Sequence, residues 1–218
     1  MSSGVDQARL PARWEPVARR AVDLVVVLIG LLVLMIPMLL IAMAIRLGSS
    51  GPALYRQQRI GRGGQPFTMY KFRTMRVGCS DAQHRELIAR ELRGEDTSVG
   101  GSWKIDSDPR VTRIGSILRR TSLDELPQLI NVLRGQMALV GPRPCLDWEK
   151  EMFPVRFAER FDVPPGLTGL WQVSGRSTMG TLEMLELDLA YVRGWSFWTD
   201  LAILLRTVPT LLRGHGAR

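Results

Sequence analysis

Two adjacent carboxylates, Asp124 and Glu125, stand in the stretch Thr121-Ser122-Leu123-Asp124-Glu125-Leu126-Pro127-Gln128, just ahead of an apolar helical run. Arg119 and Arg120 precede them, and Arg143 follows in Gly141-Pro142-Arg143-Pro144. A carboxylate can attack phosphorus, its neighbour can ligate a metal ion, and guanidinium groups can hold phosphate oxygens. The set suits phosphoryl transfer on a diphosphate. The pair also has a plainer use. Asp is a favoured N-cap, and Ser122 with Glu125 fits a capping box. Pro127 argues about the register: its missing N–H is harmless only in a first helical turn, which puts the helix start near Asp124. The capping-box register would push Pro127 past that turn.

The elements that must position these groups begin with a long apolar segment. Leu24 to Ile45 is 22 residues without a charge. As a straight helix it would be roughly 33 Å long, enough to cross a bilayer core. It is too long, and lacks the small-residue cleavage site, for a removable signal peptide. Pro37 lies near its middle, where it removes a backbone donor and bends a helix. Arginines crowd both flanks: Arg9, Arg13, Arg19 and Arg20 before, Arg46, Arg56, Arg59 and Arg62 after. A spanning helix cannot put both flanks on the cytoplasmic side, whereas a re-entrant helix bent at Pro37 can. A kinked span and a buried core helix are the alternatives. Asp23, three and four residues after Arg20 and Arg19, is expected to pair with them as an interfacial salt bridge.

Beyond Gly48-Ser49-Ser50-Gly51-Pro52, Ala53 to Met75 reads as a β-hairpin. Its arms are Leu54–Ile60 and Phe67–Arg73, and Gly61-Arg62-Gly63-Gly64 supplies the turn. Lys71 and Arg73 on the second arm are candidates for phosphate binding, against the plainer reading of solvated strand cations. Residues 81–93 look helical and 94–108 loop-like, and a short helix is expected over Ser116–Arg120. Leu126, Leu129, Ile130 and Leu133 form the stripe of the helix that starts near Asp124, and Gly135 ends it. Pro164 to Arg176 is a Gly-punctuated loop or short strand, with Arg176 able to hold a phosphate. Glu183–Tyr191 is expected to be helical and carries Asp188. Trp195, Phe197 and Trp198 open an amphipathic helix over Thr199–Leu212, suited to a membrane interface or to core packing.

Composition narrows the classes further. The 218 residues carry a formal charge of +8, and only Lys71, Lys104 and Lys150 are lysines among 29 Lys and Arg. Such a balance fits anionic partners such as lipid head groups or nucleotides, although arginine-richness can also be a compositional bias. Cys79 and Cys145 have no metal or redox spacing and suit a reducing compartment. His84 and His215 are the only histidines, which argues against a His-based triad or a multi-His metal site. No Walker phosphate loop, dinucleotide fingerprint or nucleic-acid-binding fold is legible, so nucleic acid is not expected as a partner.

In order along the chain, these segments resemble the bacterial sugar transferase family, the small monotopic phosphoglycosyl transferases. The motifs that carry the resemblance begin with Arg20-Ala21-Val22-Asp23, Tyr70-Lys71-Phe72-Arg73-Thr74-Met75 and Asp108-Pro109-Arg110-Val111-Thr112. They continue with Ser122–Gln128, Leu139-Val140-Gly141-Pro142-Arg143-Pro144, Pro165–Arg176, Asp188 and Tyr191-Val192. Each motif is weak alone, but the ordered set, over about residues 18 to 210, is specific. The chain resembles the short form of the family. One departure is Ile36: many members have Ser or Ala before the membrane-helix proline, and Ile offers no hydroxyl to a carbonyl freed by Pro37.

The resemblance implies an α/β (α+β) fold in three parts. Residues 1–19 are an arm and interfacial helix, residues 20–47 the re-entrant membrane helix, and residues 48–218 a mostly helical cytoplasmic catalytic domain with its hairpin. It implies the cytoplasmic face of a bacterial inner membrane as the location. The implied reaction moves a sugar-1-phosphate from a UDP-sugar to polyprenyl (undecaprenyl) phosphate with release of UMP. Asp124 would be the nucleophile and Glu125 the ligand of Mg²⁺. Arg119 and Arg143 would clamp phosphate oxygens, with Arg176, Asp188, Lys71 and Arg73 as further candidates near nucleotide or sugar. A homodimer is left open. The competing readings are a membrane-bound sugar-diphosphate hydrolase and a basic membrane-tethered binding module without activity.

Overall fold

The computed structural model of the protein describes residues 15–76, 82–97, 110–175 and 179–213. The arm over residues 1–12, the loop from residue 98 to 108, Pro109 and Arg176 lie outside the described residues.

The apolar segment lies within a single helix, α1, over Glu15–Gly48, with Pro37 inside it. It is long and apolar enough to cross a membrane. Both halves of α1 nevertheless pack on the rest of the protein. Val27, Leu31 and Leu34 join a core with Met69, Leu129, Val132 and Tyr191. Farther along, Met38, Ile41, Ala42 and Ile45 pack with Phe72 and Leu118. The opposite face carries exposed apolar side chains at helical spacing, among them Val25, Ile29, Leu32, Ile36, Leu40, Met43 and Leu47.

The N-terminal end of α1 is held by polar bonds to distant elements. Arg20 donates to the carbonyls of Val132 and Leu133 at 2.7 and 3.0 Å. Arg19 donates to the carbonyl of Val140 and pairs with Asp200 at 3.2 Å. Asp23 therefore differs from the expected interfacial salt bridge. It is buried, and its Oδ1 accepts the Leu139 N–H at 3.2 Å. Burial decides this, because a carboxylate and a backbone donor removed from water both need partners.

The hairpin forms as its sequence suggests. Strand β1 (Leu54–Ile60) pairs antiparallel with β2 (Pro66–Phe72). The turn holds Gly63 and Gly64 at φ of 64° and 72°, which favours glycine. Past β2, the Thr112 N–H donates to the Thr74 carbonyl and the Arg76 N–H to that of Arg110. This seats helix α3 (Arg113–Thr121), capped by the Thr112 hydroxyl on the Gly115 N–H. Only glycine fits at 115, since a Cβ there would stand 2.1 Å from the Thr74 carbonyl oxygen. Helix α2 (Ala82–Leu92) is the charged helix expected over 81–93.

After α3 the structure departs from the sequence expectation. Residues Leu123–Gln128 form a 3₁₀ turn, and helix α4 is only Leu129–Leu133. Ser122, with φ of 57°, ends α3 and makes no side-chain cap bond to the turn. Asp124 and Glu125 thus do not sit at an α-helix N-terminus, and the capping box is absent. Pro127 is consistent with either geometry, which is why its presence could not separate them.

Strand β3 (Ala138–Val140) pairs in parallel with β4 (Gly166–Thr168), so the Gly-punctuated segment holds a short strand followed by helix α6 (Leu170–Ser174). Between them lie α5 (Asp147–Met152) and a 3₁₀ segment over Val155–Phe161. Helices α7 (Thr181–Arg193) and α8 (Phe197–Arg213) complete the described chain. The architecture is mixed helix and sheet, as expected.

Asn131 joins α4 to the hairpin. It is fully buried; its Oδ1 accepts the Tyr70 N–H at 3.1 Å and its Nδ2 donates to the Thr68 carbonyl at 2.7 Å. Replacing it with the similar-sized Leu leaves both backbone groups unpaired. Asn131→Leu is expected to lower unfolding stability by about 2–5 kcal/mol, from two buried polar groups losing partners. Chemical unfolding in detergent checks this, and a loss well under 1 kcal/mol would remove Asn131 from the role given to it.

Candidate active site

The turn Leu123–Gln128 is pinned by its apolar residues. Leu123 and Leu126 pack against the cluster of Ile45, Phe72 and Leu118, and Pro127 is buried. The two acids sit side by side between these anchors, and Glu125 meets the hairpin through Lys71. Asp124 is 9% exposed. Burial pushes its carboxyl up to about 6, Glu125 adds to the rise, and the cations of Lys71 and Arg119 oppose it. At neutral pH Asp124 is still mostly ionised, and so it needs no base to act as a nucleophile. Glu125 is more open and accepts an ion pair from Lys71 Nζ at 2.8 Å. Lys71 reaches it from β2, Arg119 from the last turn of α3. Asp124, Glu125, Lys71 and Arg119 therefore come together as the sequence suggested.

Arg143 belongs to a second cluster. Its side chain is half-buried and points at Glu149 on α5, 3.4 Å away. The same fully buried carboxylate receives His84 Nε2 from α2 at 3.3 Å and Arg59 Nη1 from β1 at 3.5 Å. It also accepts the Leu146 N–H at 2.5 Å. Burial alone would favour protonation, but Arg143, His84, Arg59 and the Leu146 N–H hold Glu149 well below the usual carboxylate range.

Two candidates turn out to be structural. Arg73 is buried, and its guanidinium donates to the carbonyls of Ser49, Ser50 and Gly51 and to the Ser49 hydroxyl. It ties the end of α1 to the hairpin rather than meeting a phosphate. Asp188 is buried on α7 and pairs with Arg160 at 2.7 Å, and Arg160 in turn donates to the Arg143 carbonyl at 2.8 Å. Asp188 thus helps to fix the Arg143 backbone. Glu149, Arg59, His84 and Asn131 were missed as site residues. They carry no local motif, and partnerships such as Asn131–Tyr70 and His84–Glu149, across 61 and 65 residues, are not legible as spacing.

Among the described residues no group of three or more His, Cys, Asp or Glu could hold a metal ion. A magnesium site does not demand one: Mg²⁺ commonly takes one or two carboxylates, substrate phosphates and several waters. Glu125, an accessible carboxylate next to Asp124, fits that donor set, with Lys71 giving way.

Residues 14–214 match the sequence model of a family described as bacterial sugar transferase. The chain belongs to this family. It is 45% identical over 217 residues to the UDP-glucose:undecaprenyl-phosphate glucose-1-phosphate transferase of Caulobacter vibrioides, covering 93% of this chain and 75% of that protein. It is 42% identical to the galactosyl transferase CpsE of Streptococcus agalactiae, over 93% of this chain and 44% of that one. It is 36% identical to the exopolysaccharide production protein ExoY of Rhizobium meliloti, over 92% of this chain and 88% of that one. The chain spans less than half the length of CpsE and of several other relatives it matches.

The raised Asp124 value sets a stability prediction. The folded state holds a proton on Asp124 more tightly than the unfolded chain, whose ordinary value is 3.8. Stability from this group is present below about pH 4 and is lost as pH rises through about 6. With chelator present, Asp124→Asn is expected to stabilise the protein at pH 8 by about 1–3 kcal/mol, at 1.36 kcal/mol per unit and an upper limit set by the full shift. The gain should vanish near pH 4. Thermal unfolding at both pH values tests this; a gain of equal size at pH 4 would mean that burial of charge is not its cause.

Proposed function

We propose that this protein transfers a sugar-1-phosphate from a UDP-sugar to undecaprenyl phosphate through a phosphorylated Asp124. The observation that carries the reading is the Asp124–Glu125 pair with Lys71 and Arg119, on a turn whose Leu123 and Leu126 share a core cluster with the second half of the long apolar helix, in a member of the bacterial sugar transferase family. The names of the Caulobacter relative and of the Salmonella typhimurium relative, an undecaprenyl-phosphate galactose phosphotransferase, support the reaction class.

An Asp124 carboxylate oxygen attacks the β-phosphorus of the UDP-sugar. The bond from that phosphorus to the bridging oxygen breaks, and UMP leaves with the electron pair. The sugar phosphate is now an acyl phosphate on Asp124. A phosphate oxygen of undecaprenyl phosphate then attacks the same phosphorus, and the acyl P–O bond breaks to return the carboxylate. Arg119 and Lys71 offset the negative charge that gathers at the turn. Their cations also keep Asp124 more ionised than its burial alone would allow. Glu125 would hold Mg²⁺, which when bound supplies electrostatic neutralisation of the diphosphate. A covalent intermediate suits two substrates that arrive from different phases, since each can react without the other being present.

The apolar face of α1 supports the membrane side of the reading. Both halves of the helix pack on one globule while their outer face remains apolar. A helix seated in one leaflet and returning to the cytoplasmic side satisfies this arrangement; a straight span would carry one end away from the domain. We place the catalytic domain on the cytoplasmic face of the inner membrane, where UDP-sugars are available.

The test uses the full chain in nanodiscs with Mg²⁺, undecaprenyl phosphate, and UDP-glucose, UDP-galactose and N-acetylated UDP-sugars in turn. UMP release with one donor is expected, with turnover dependent on the lipid. Asp124→Asn should cut the rate by at least about 10³-fold, as loss of a nucleophile does. Donor labelled in the sugar should leave label on the wild-type protein, sensitive to hydroxylamine, and none on Asp124→Asn. Undiminished UMP release by the variant would overturn the Asp124 mechanism. Release of free sugar phosphate to water, without lipid, would favour the hydrolase.

A further inference from the structure

Among the described residues, one face of the hairpin gathers cations without their counter-charges. Arg56 on β1 stands opposite Tyr70 on β2. Its guanidinium carbon lies 6.0 Å from the centre of the Tyr70 ring, and that of Arg134, just past α4, lies 5.4 Å from it. Arg134 Nη1 also donates to the Tyr70 hydroxyl at 2.9 Å. Both arginines are exposed. A third cation adjoins them. Arg20, near the start of α1, donates to the carbonyls of Val132 and Leu133, the two residues before Arg134. None of the three is ion-paired to a carboxylate among the described residues. Asp23, three residues after Arg20, is buried and accepts the Leu139 N–H. Two guanidinium groups held on one ring repel each other, and the ring offsets only part of that repulsion. An anion between them would remove it, and phosphate oxygens accept charge-assisted bonds from both.

The cations border α1 on two sides. Arg20 lies four residues before Leu24, where the charge-free run begins, roughly 6 Å along the helix axis. On the hairpin, the pair next to Arg56–Tyr70 on the same face is Leu54–Phe72. Leu54 and Phe72 share a core cluster with Met38, Ile41, Ala42 and Ile45 in the second half of α1. Apolar side chains lie exposed beside the patch, Leu133 next to Arg134, and Val17 and Val25 on either side of Arg20. Arginine and tyrosine next to exposed apolar side chains match the depth of lipid head groups, where the charged ends meet phosphate and the apolar parts meet acyl chains. A soluble polyanion would meet the cations and leave that apolar border in water. A lipid surface covers both.

We propose that Arg56 and Arg134, braced by Tyr70 and joined by Arg20, bind the phosphate of an acidic phospholipid of the surrounding bilayer, separate from the lipid that reacts. Tyr70 and Lys71 are consecutive on β2, so their side chains leave opposite faces of the ribbon. The bound head group therefore lies across the hairpin from Glu125, the partner of Lys71. The proposal rests on the membrane seating of α1 and not on the transfer reaction.

The full chain in phosphatidylcholine nanodiscs, without UDP-sugar, tests it. Spin-labelled phosphatidylglycerol and spin-labelled phosphatidylcholine are the probes, and the immobilised fraction of each gives their relative affinity. Phosphatidylglycerol is expected to be preferred at least about fivefold, the effect of one cation near an anionic head group. The preference should shrink as salt is raised. Arg56→Gln/Arg134→Gln should bring the ratio to within about twofold of unity. Arg90→Gln/Arg93→Gln removes the same charge at the end of α2 and should leave the preference unchanged. Equal affinity for the two labels would overturn the proposal, as would a preference that survives the hairpin variant or falls equally in the α2 variant. A preference abolished by millimolar inorganic phosphate at constant ionic strength would give the cations to a soluble phosphate and overturn the lipid assignment. A chain that does not enter bilayers would remove the membrane reading and this proposal with it; entry without preference would remove this proposal alone.

Discussion

A two-stranded hairpin presents unpaired N–H and C=O groups along both outer edges, and each must find a partner. The geometry of this protein follows from how it meets that constraint. On the β2 edge the Asn131 amide takes the Tyr70 N–H and the Thr68 carbonyl, acting as one residue of a missing third strand. Beyond β2 the edge continues to Arg110 and Thr112. On the β1 edge the Ile60 N–H goes to the Cys145 carbonyl. Asn131 belongs to the segment of Asp124 and Glu125, Thr112 caps the helix of Arg119, and Cys145 adjoins the loop of Arg143. The segments of Asp124, Arg119 and Arg143 are thus registered against the same ribbon by hydrogen bonds to its backbone, which tolerate little drift.

That arrangement explains what was legible in the sequence. The hairpin, α2, α7 and α8 have local signals, either alternation and a Gly-rich turn or helical periodicity, and their bounds came out within a few residues. The 3₁₀ turn at Leu123–Gln128 did not, because Pro127 and a following apolar stripe suit an α-helical start just as well. The turn is chosen by tertiary packing, with Leu123 and Leu126 against the cluster of Ile45, Phe72 and Leu118 and Ser122 in a left-handed conformation. Lys71, Arg119 and the acid pair were recognisable because their residue types carry the chemistry. The internal partners of Arg73 and Asp188, the carbonyls of Ser49–Gly51 and the Arg160 guanidinium, were not legible, because residue type alone suggested phosphate and sugar work. Glu149 shows the converse. Nothing marks it locally, and only the fold reveals that Arg59, His84 and Arg143 converge on it.

The two clusters treat a buried carboxylate in opposite ways. Glu149 is wrapped in cations and a backbone N–H, and it stays ionised despite full burial. Asp124 has cations nearby as well, yet Lys71 spends its charge on Glu125, and desolvation prevails. The difference is one of pairing rather than depth. A carboxylate locked in ion pairs is a poor nucleophile because its lone pairs are committed; one that is under-paired retains reactivity at a cost in stability. By this measure Asp124 is the group suited to attack and Glu149 the group suited to hold others in place.

The position of α1 connects this electrostatic contrast to the membrane reading. The apolar residues on either side of the acid pair, Leu123 and Leu126, belong to the cluster that also holds Met38, Ile41 and Ala42 of α1, so Asp124 is desolvated where the domain meets that helix. Deeper seating of the turn would bring the nucleophile closer to a lipid substrate and would raise its proton affinity further. A more exposed turn would restore ionisation but carry Asp124 away from the apolar face. Arg119 and Lys71 relax this conflict, because they recover ionisation without requiring access to water. In the proposed reaction the incoming diphosphate would draw on the same two cations. They can serve both anions only if Lys71 exchanges Glu125 for substrate, which makes the 2.8 Å Lys71–Glu125 pair the contact that must open before the site can work.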